Sequence, residues 1–440
     1  MSTHVDVTRS AALYERALKV LPGGVSRNAA FRDPHPLYAD HAEGCRITDI
    51  EGVTRLDFAN NMASLIHGHA DPDMVRAVTA QLRKGTAYNI GTEIEVRYAE
   101  YLNERIPGFD MMRFVNSGTE ALMVGIKASR AFTGRPMIAK AEGAYHGAYD
   151  FVEVSQTPSP ANWGDADEPR RVPLVKGTPE SAVNEVVVIP YNNIDRSISL
   201  LERSKDKLAC LVLDLMPHRV GLNPADPEYV AALRDWTKKN GVLLLLDEVI
   251  TLRSHYTGLQ EQYGLRPDLT AMGKMIGGGF PIGAIAGRRD VMDVLNPRSK
   301  SYVYPHSGTF SANPISLTAG LAAMEKFDRS EVARLNGMAE RAIASIREMI
   351  RQTGARASVT GGGSMFRVHM KATAPTNYRE AHTTAEENKR VKVMLDHMFD
   401  AGFILINSCS CALSTPMGDA EVDDLLDAMR SGFEKIAAMP

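Results

Sequence analysis

Leu243-Leu244-Leu245-Leu246-Asp247-Glu248 is a run of four leucines closed by two carboxylates. An apolar run without polar alternation suits a parallel strand buried on both faces. An acid at its end lies at the carboxyl edge of the sheet, where α/β proteins take their ligands. Asp247 then has three readings: a strand-end acid capping a neighbouring helix, a magnesium-holding acid of an ATPase, or an acid facing the ring nitrogen of a flat cofactor. The ATPase reading needs G-x-x-x-x-G-K-[ST] elsewhere. The one Gly-Lys pair near a strand is Gly273-Lys274, where Met275 replaces the hydroxyl residue and Asp268 the first glycine. No G-x-G-x-x-G opens a helix either, so a nucleotide enzyme fits poorly.

Outward from that run, residues 186–189, 210–215 and 282–286 repeat the same continuous apolar pattern, and all are expected to be parallel strands. Between them, 227–239 reads as a helix, with Asp226 as cap, proline in the first turn and Gly241 just past the end. Strand, helix and strand in succession imply an α/β sheet with helices on both faces. A first helix is expected over 8–21, stopped at Pro22-Gly23-Gly24. After about residue 330 the order changes to a helix over 331–351, a strand over 365–369, a helix over 386–401 and a last helix from Asp419. The division expected is 1–70 as an N-terminal segment serving the small domain and the active-site mouth, 71–325 as the large domain, and 326–440 as a small α+β domain. Residues 156–185 are rich in Pro, Ser, Asp and Glu and lack periodicity; a loop of that length is usually functional or disordered.

Bulk properties narrow the class. The 440 residues are 44% hydrophobic and 23% charged, with a net charge of -3. That is the balance of a globular protein with a large core, and it draws the chain neither to nucleic acid nor to a membrane. Residues 1–6 have neither a basic nor an apolar region, so no signal peptide is expected. The apolar runs are too short to span a bilayer. Cys45, Cys210, Cys409 and Cys411 form neither a disulfide framework nor a metal-binding set, so no metal is expected and a reducing cytoplasm is.

Three further stretches carry chemistry. Lys274 ends an apolar run and is followed by Gly277-Gly278-Gly279. It reads either as a snorkelling surface lysine or as a partly desolvated amine suited to a Schiff base. Asn116-Ser117-Gly118-Thr119-Glu120 opens a helix, as a plain cap or as an anion seat of N–H groups and hydroxyls. Gly143-Ala144-Tyr145-His146-Gly147 follows a strand over 137–141; its aromatic either packs in a turn or lies flat on a cofactor ring.

These stretches, with Asp247-Glu248-Val249 and His306-Ser307-Gly308-Thr309-Phe310-x-x-Asn313-Pro314, occur in an order that resembles the class III aminotransferases. The branch resembled holds glutamate-1-semialdehyde aminomutase and the β-amino-acid aminotransferases, and the likeness runs from about Leu21 onward. The resemblance implies an α/β fold-type I transferase dependent on pyridoxal 5'-phosphate. Its large domain has a mostly parallel sheet, and its smaller α+β domain comes from the N- and C-terminal segments. It implies that Lys274 forms the Schiff base, that Asp247 pairs with the pyridinium nitrogen, that Val249 packs behind the ring and that Tyr145 stacks in front. Ser117, Gly118 and Thr119 would hold the phosphate, with Thr309 reaching it from the partner of a homodimer. His146 and Asp214 would also stand among the cofactor's neighbours. The reaction implied moves an amino group between an amino acid, β-amino acids among them, or a related amine and an oxo acid. The alternative is a 1,2-aminomutase of the glutamate-1-semialdehyde type.

The chain departs from the family in two places. Many members carry Glu-Pro-x-x-Gln before the acid strand, and here the stretch is Asp214-Leu215-Met216-Pro217-His218-Arg219. Pro217 cannot make the glutamine's contact, which leaves His218 or Arg219 for it. Pro22-Gly23-Gly24-Val25-Ser26-Arg27 resembles the stretch whose arginine grips the substrate carboxylate, a task suited to a planar fork. A second arginine common in that subfamily is missing from 407–411, and Arg253 is one substitute.

Overall fold

The computed structural model describes residues 8–300 and 302–439. The reading of residues 1–6 lies outside them. Strands β1 (Ala39–Glu43), β2 (Arg46–Asp49) and β3 (Thr54–Asp57) come first, followed by β4 (Met111–Val115), β5 (Met137–Ala141), β6 (Val186–Ile189), β7 (Leu208–Leu213), β8 (Leu243–Asp247), β9 (Leu269–Gly273) and β10 (Gly283–Gly287). The last are β11 (Ser358–Gly362), β12 (Met365–His369), β13 (Phe403–Ile404) and β14 (Ser410–Ala412).

β4 to β10 form one sheet in the order β4-β10-β9-β8-β7-β5-β6. Every residue of β5 to β10 is buried, as expected where helices cover both faces. β8 and β9 are parallel neighbours, and this places Asp247 and Lys274 at adjacent strand ends on the carboxyl edge, where ligands of such sheets bind. Expectation and structure differ at β10, which runs antiparallel to both β4 and β9. Its burial on both faces makes it read like a parallel strand, because burial rather than direction writes the pattern. The connection from β8 to β9 holds only the short 3-10 turns Thr251–Ser254 and Leu259–Tyr263 in place of a longer helix.

The helix Pro227–Asn240 has its proline at the start and Gly241 in a left-handed C-cap, but Asp226 makes no side-chain cap bond. The first helix ends at Ala17, four residues early, and a turn carries the chain to Pro22.

A smaller unit joins the two chain ends. β1, β2 and β3 form an antiparallel ladder, and β13 adds to β3 in parallel, pairing Phe403 with Leu56. β11, β12 and β14 make a second small antiparallel sheet beside the helices Arg329–Thr353, Ala385–Asp400 and Asp419–Ala437. Loop 156–185 contains a short helix, Glu180–Asn184, and is tied down from this side. Tyr378 Oη donates to Pro158 O at 2.8 Å, and Arg379, paired with Glu142, donates to the carbonyls of Trp163 and Gly164. Among the described residues, no helix is long and apolar enough to cross a membrane.

Candidate active site

Two acids close β8, and they do different work. Glu248 is fully buried and its carboxylate accepts from Leu259 N at 3.0 Å and Gln260 N at 2.7 Å. It therefore satisfies the start of the turn Leu259–Tyr263, while burial pushes its carboxyl up to about 7. The capping acid foreseen for this strand end is Glu248. Asp247 is left to face the sheet edge. One of its oxygens accepts from Val249 N at 3.0 Å, and the other meets His146 Nδ1 at 2.8 Å. That bond holds the proton of a neutral imidazole on Nδ1. Burial pushes His146 down, with Asp247 opposing, and its buried Nε2 has no partner.

Asp214 stands behind this pair, buried, accepting from Met216 N at 2.8 Å. Burial and then the charge of Asp247 push its carboxyl well above the ordinary range.

Lys274 begins the turn after β9 with φ of 52°, a left-handed conformation that costs a non-glycine residue about 1–3 kcal/mol. Its amine is pushed below the ordinary lysine value by burial; Asp247 opposes this and Arg27 adds to it. A free amine is thereby easier to reach than on a surface lysine.

The helix Gly118–Thr133 points its N-terminus into the same place. Ser117 caps it, accepting from Glu120 N at 3.1 Å, a contact worth about 1 kcal/mol. A Cβ on Gly118 would lie 2.7 Å from Val249 Cγ1, and one on Gly147 would lie 2.5 Å from Thr119 Oγ1. Only glycine allows these approaches, which draw together the helix start, the acid strand and the Tyr145 turn. Tyr145 is 47% exposed, and the Arg219 guanidinium stands 5.4 Å from its ring centre. Thr309 is exposed, in a turn.

Asp247, His146, Asp214, Val249, Lys274, Ser117, Gly118 and Thr119 thus converge. The set fits the parts of pyridoxal phosphate: an acid for a ring nitrogen, a helix start for a phosphate, an amine for an aldehyde. His146 Nε2, buried beside Asp247, has no partner among the described residues.

A family model, aminotransferase class-III, matches residues 28–430. The chain belongs to the class-III aminotransferases. It is a pyridoxal-phosphate-dependent enzyme of fold type I. It is 37% identical over 374 residues to a glutamate-1-semialdehyde 2,1-aminomutase of Methanothermobacter thermautotrophicus, covering 85% of this chain and 86% of that one. A solved omega-transaminase from Sphaerobacter thermophilus superposes with a TM-score of 0.95 at 43% identity, over 99% of this chain and 100% of that one. A β-phenylalanine aminotransferase from Variovorax paradoxus follows at 0.86 and 28%, over 96% and 93%.

Arg27 lies on the rim of a cleft of about 1190 Å3 that Asn61, Met62, Gly279 and Asn407 also line. The cleft opens beside the chemistry: Lys274 and Asp247 are not in its wall. Arg27 Nη1 donates to Asn61 Oδ1 at 2.6 Å. Asn61 belongs to a turn that the sequence reading missed, in which Asn60, Asn61, Met62 and Ala63 all have positive φ. Its one signal is the Asn-Asn pair, since asparagine tolerates that region best among non-glycine residues. Arg253 does not serve a substrate. It is fully buried and donates to Ser364 Oγ at 2.9 Å, to Ala63 O at 3.2 Å and to Leu413 O, which uses all its nitrogens.

Proposed function

We propose that this enzyme is a transaminase that moves an amino group from an amino acid, β-amino acids included, or a related amine to an oxo acid. It would act in the cytoplasm as a homodimer with shared active sites. The observation that supports this reading best is Arg27. Its guanidinium is exposed on the cleft, bonds a neutral amide, has no acid partner among the described residues, and lies close enough to lower the Lys274 amine. A carboxylate held there by a bidentate fork would be oriented toward Lys274.

Bound at this site, pyridoxal phosphate supplies the electron sink into which a substrate's Cα–H bond is broken. The rest falls to the protein. Asp247 would pair with the ring nitrogen, and His146 keeps its carboxylate in place. Ser117, Gly118 and Thr119 bind the phosphate at the helix start, where the dipole favours an anion. Lys274 Nζ would be the base that takes the proton from the substrate's Cα and the acid that returns it. Tyr145 would stack on the ring. Thr309, exposed on one subunit, is offered to the phosphate of the other.

The likeness to archaeal aminomutases supports a second reading, transfer within one molecule. The two readings separate on one experiment. Purified holoenzyme is mixed with a panel of amino donors while bleaching of the cofactor's visible absorbance is followed, then an oxo acid is added. Bleaching by amino acids and recovery with an external oxo acid is the expected result. Turnover of glutamate 1-semialdehyde alone, with no recovery by any oxo acid, would replace it with the aminomutase. Borohydride reduction should place the label on Lys274. Arg27→Ala should raise KM for carboxylated donors about a hundredfold and leave simple amines nearly unchanged. Equal losses for both classes would make Arg27 structural.

A further inference from the structure

The turn that carries Tyr145 and His146 is held from outside the large sheet. Glu142 follows β5, is buried, and donates its N–H to Ile189 O at 2.9 Å. Its carboxylate accepts from Arg379 Nε at 2.8 Å and from Arg379 Nη2 at 3.0 Å, a bidentate pair. Arg379 belongs to the short helix Tyr378–Ala381, which lies between β12 and the helix Ala385–Asp400 of the smaller unit. The pair joins positions 237 residues apart in the sequence.

The rest of the guanidinium is occupied as well. Nη1 donates to Gly164 O at 2.9 Å, and Nη2 to Trp163 O at 2.9 Å and to Asp165 O at 2.7 Å. Only 16% of the Arg379 side chain and 5% of the Glu142 side chain are exposed, so this is not a screened surface pair. A planar fork fixed at so many points cannot drift, because each displacement breaks several bonds at once.

Packing adds to the grip. Gly143 has φ of 75°, and a Cβ there would run into the ring of Tyr378. On the other side of the same segment, a Cβ on Gly221 would lie 3.0 Å from Pro375 Cγ and 3.5 Å from Ala381 Cβ. Gly221 closes the 3-10 turn His218–Val220, whose Arg219 guanidinium stands 5.4 Å from the Tyr145 ring centre. Residues 375–381 therefore brace both turns whose side chains meet in the Arg219–Tyr145 contact. His146 has its bond to Asp247 to fix it. Tyr145 is exposed, so the backbone beneath it sets its position.

We propose that Arg379 is a positioning residue for Tyr145: through Glu142 it fixes the turn from which Tyr145 stacks on the cofactor, and so ties cofactor retention to the smaller unit. This rests on the placement of Tyr145 against the ring, and it holds for transaminase and aminomutase alike.

The test follows release of pyridoxal phosphate from diluted holoenzyme, together with the cofactor's visible circular-dichroism band. Arg379→Met should speed release about tenfold and weaken the band, with Arg379→Lys falling between. In a Tyr145→Ala background the same change should add less than about twofold, since the side chain through which it acts is gone. Full additivity overturns the proposal, and so does wild-type release from Arg379→Met. Tyr378→Phe removes only the bond to Pro158 O and should leave release within about twofold of wild type. An acceleration equal to that of Arg379→Met would assign the effect to loop 156–185 and overturn the proposal. Loss of Arg379 strands a buried acid. Should Arg379→Met not fold for that reason, Glu142→Gln decides instead: release about threefold faster, and no faster once Tyr145 is Ala, supports the coupling, and no change rejects it. Wild-type release from Tyr145→Ala alone is a different result: it strikes the placement of Tyr145 on the ring, and the proposal with it.

Discussion

At the scale of single residues, the site depends on two adjacent acids having opposite surroundings. Glu248 is enclosed by backbone donors on the far side of the strand, where burial raises its carboxyl to about 7. Asp247 points the other way, to His146, with Asp214 behind it, whose carboxyl burial and the charge of Asp247 push up. Asp247→Asn should preserve the fold, being isosteric, but remove the charge that holds a proton on the ring nitrogen. A loss in kcat of about ten-thousandfold is expected in the half-reaction, on the order of 5 kcal/mol. A variant within about threefold of wild type would show Asp247 to be structural only.

At the scale of elements, two buried cations hold segments in place in different ways. Arg253 joins three separated pieces: the end of the turn Asn60–Ala63, the β11–β12 hairpin at Ser364, and Leu413 after β14. Arg253→Gln strands carbonyls that water cannot reach, and should cost about 2–4 kcal/mol in denaturant unfolding. Lys140 of β5 is fully buried and donates to the carbonyls of Ala141 and Val154, both at 3.0 Å. Burial lowers its amine to about 7, against 10.5 ordinarily. Between those values the unfolded chain binds a proton that the folded chain does not, so Lys140 makes stability rise with pH; below about 7 both states are protonated and its cost is constant. Lys140→Met should therefore gain most over wild type near pH 7. That advantage should shrink by at most about 1.4 kcal/mol per pH unit toward pH 9. An advantage independent of pH would show that Lys140 titrates normally.

At the scale of the whole molecule, the chain ends meet. β13, from the C-terminal part, extends the sheet of β1, β2 and β3, and Ala412 N donates to Phe58 O at 2.8 Å. Arg27 and the 407–410 segment thereby become neighbours across almost the full length of the sequence. Apolar side chains near Thr309 remain uncovered, Val303 at 61% and Phe310 at 58% exposure, although soluble chains rarely cluster such surface without a partner. If this surface is the dimer contact, light scattering should give twice the chain mass. Phe310→Asp should shift that mass toward the monomer and weaken phosphate retention, because Thr309 would lose its position. A monomeric wild type, or a dimer indifferent to Phe310→Asp, would remove the shared-site model.

The sequence by itself determined the sheet and its chemistry. Short continuous apolar runs suit strands buried on both faces, and β5, β6 and β12 fall where their residues predict. The local pattern also located Asp247, Lys274 and Ser117-Gly118-Thr119, because strand ends and helix starts are written within a few residues of each other. Direction was not legible at β10, since burial leaves the same composition in parallel and antiparallel strands. Nor was the division of labour between Asp247 and Glu248, which depends on which of them meets the N–H groups of Leu259 and Gln260. The turn Asn60–Ala63 and the approach of Arg379 to Glu142 lay further out of reach. Both are set by packing between segments hundreds of residues apart, and spacing along one chain carries no record of what the fold brings beside it.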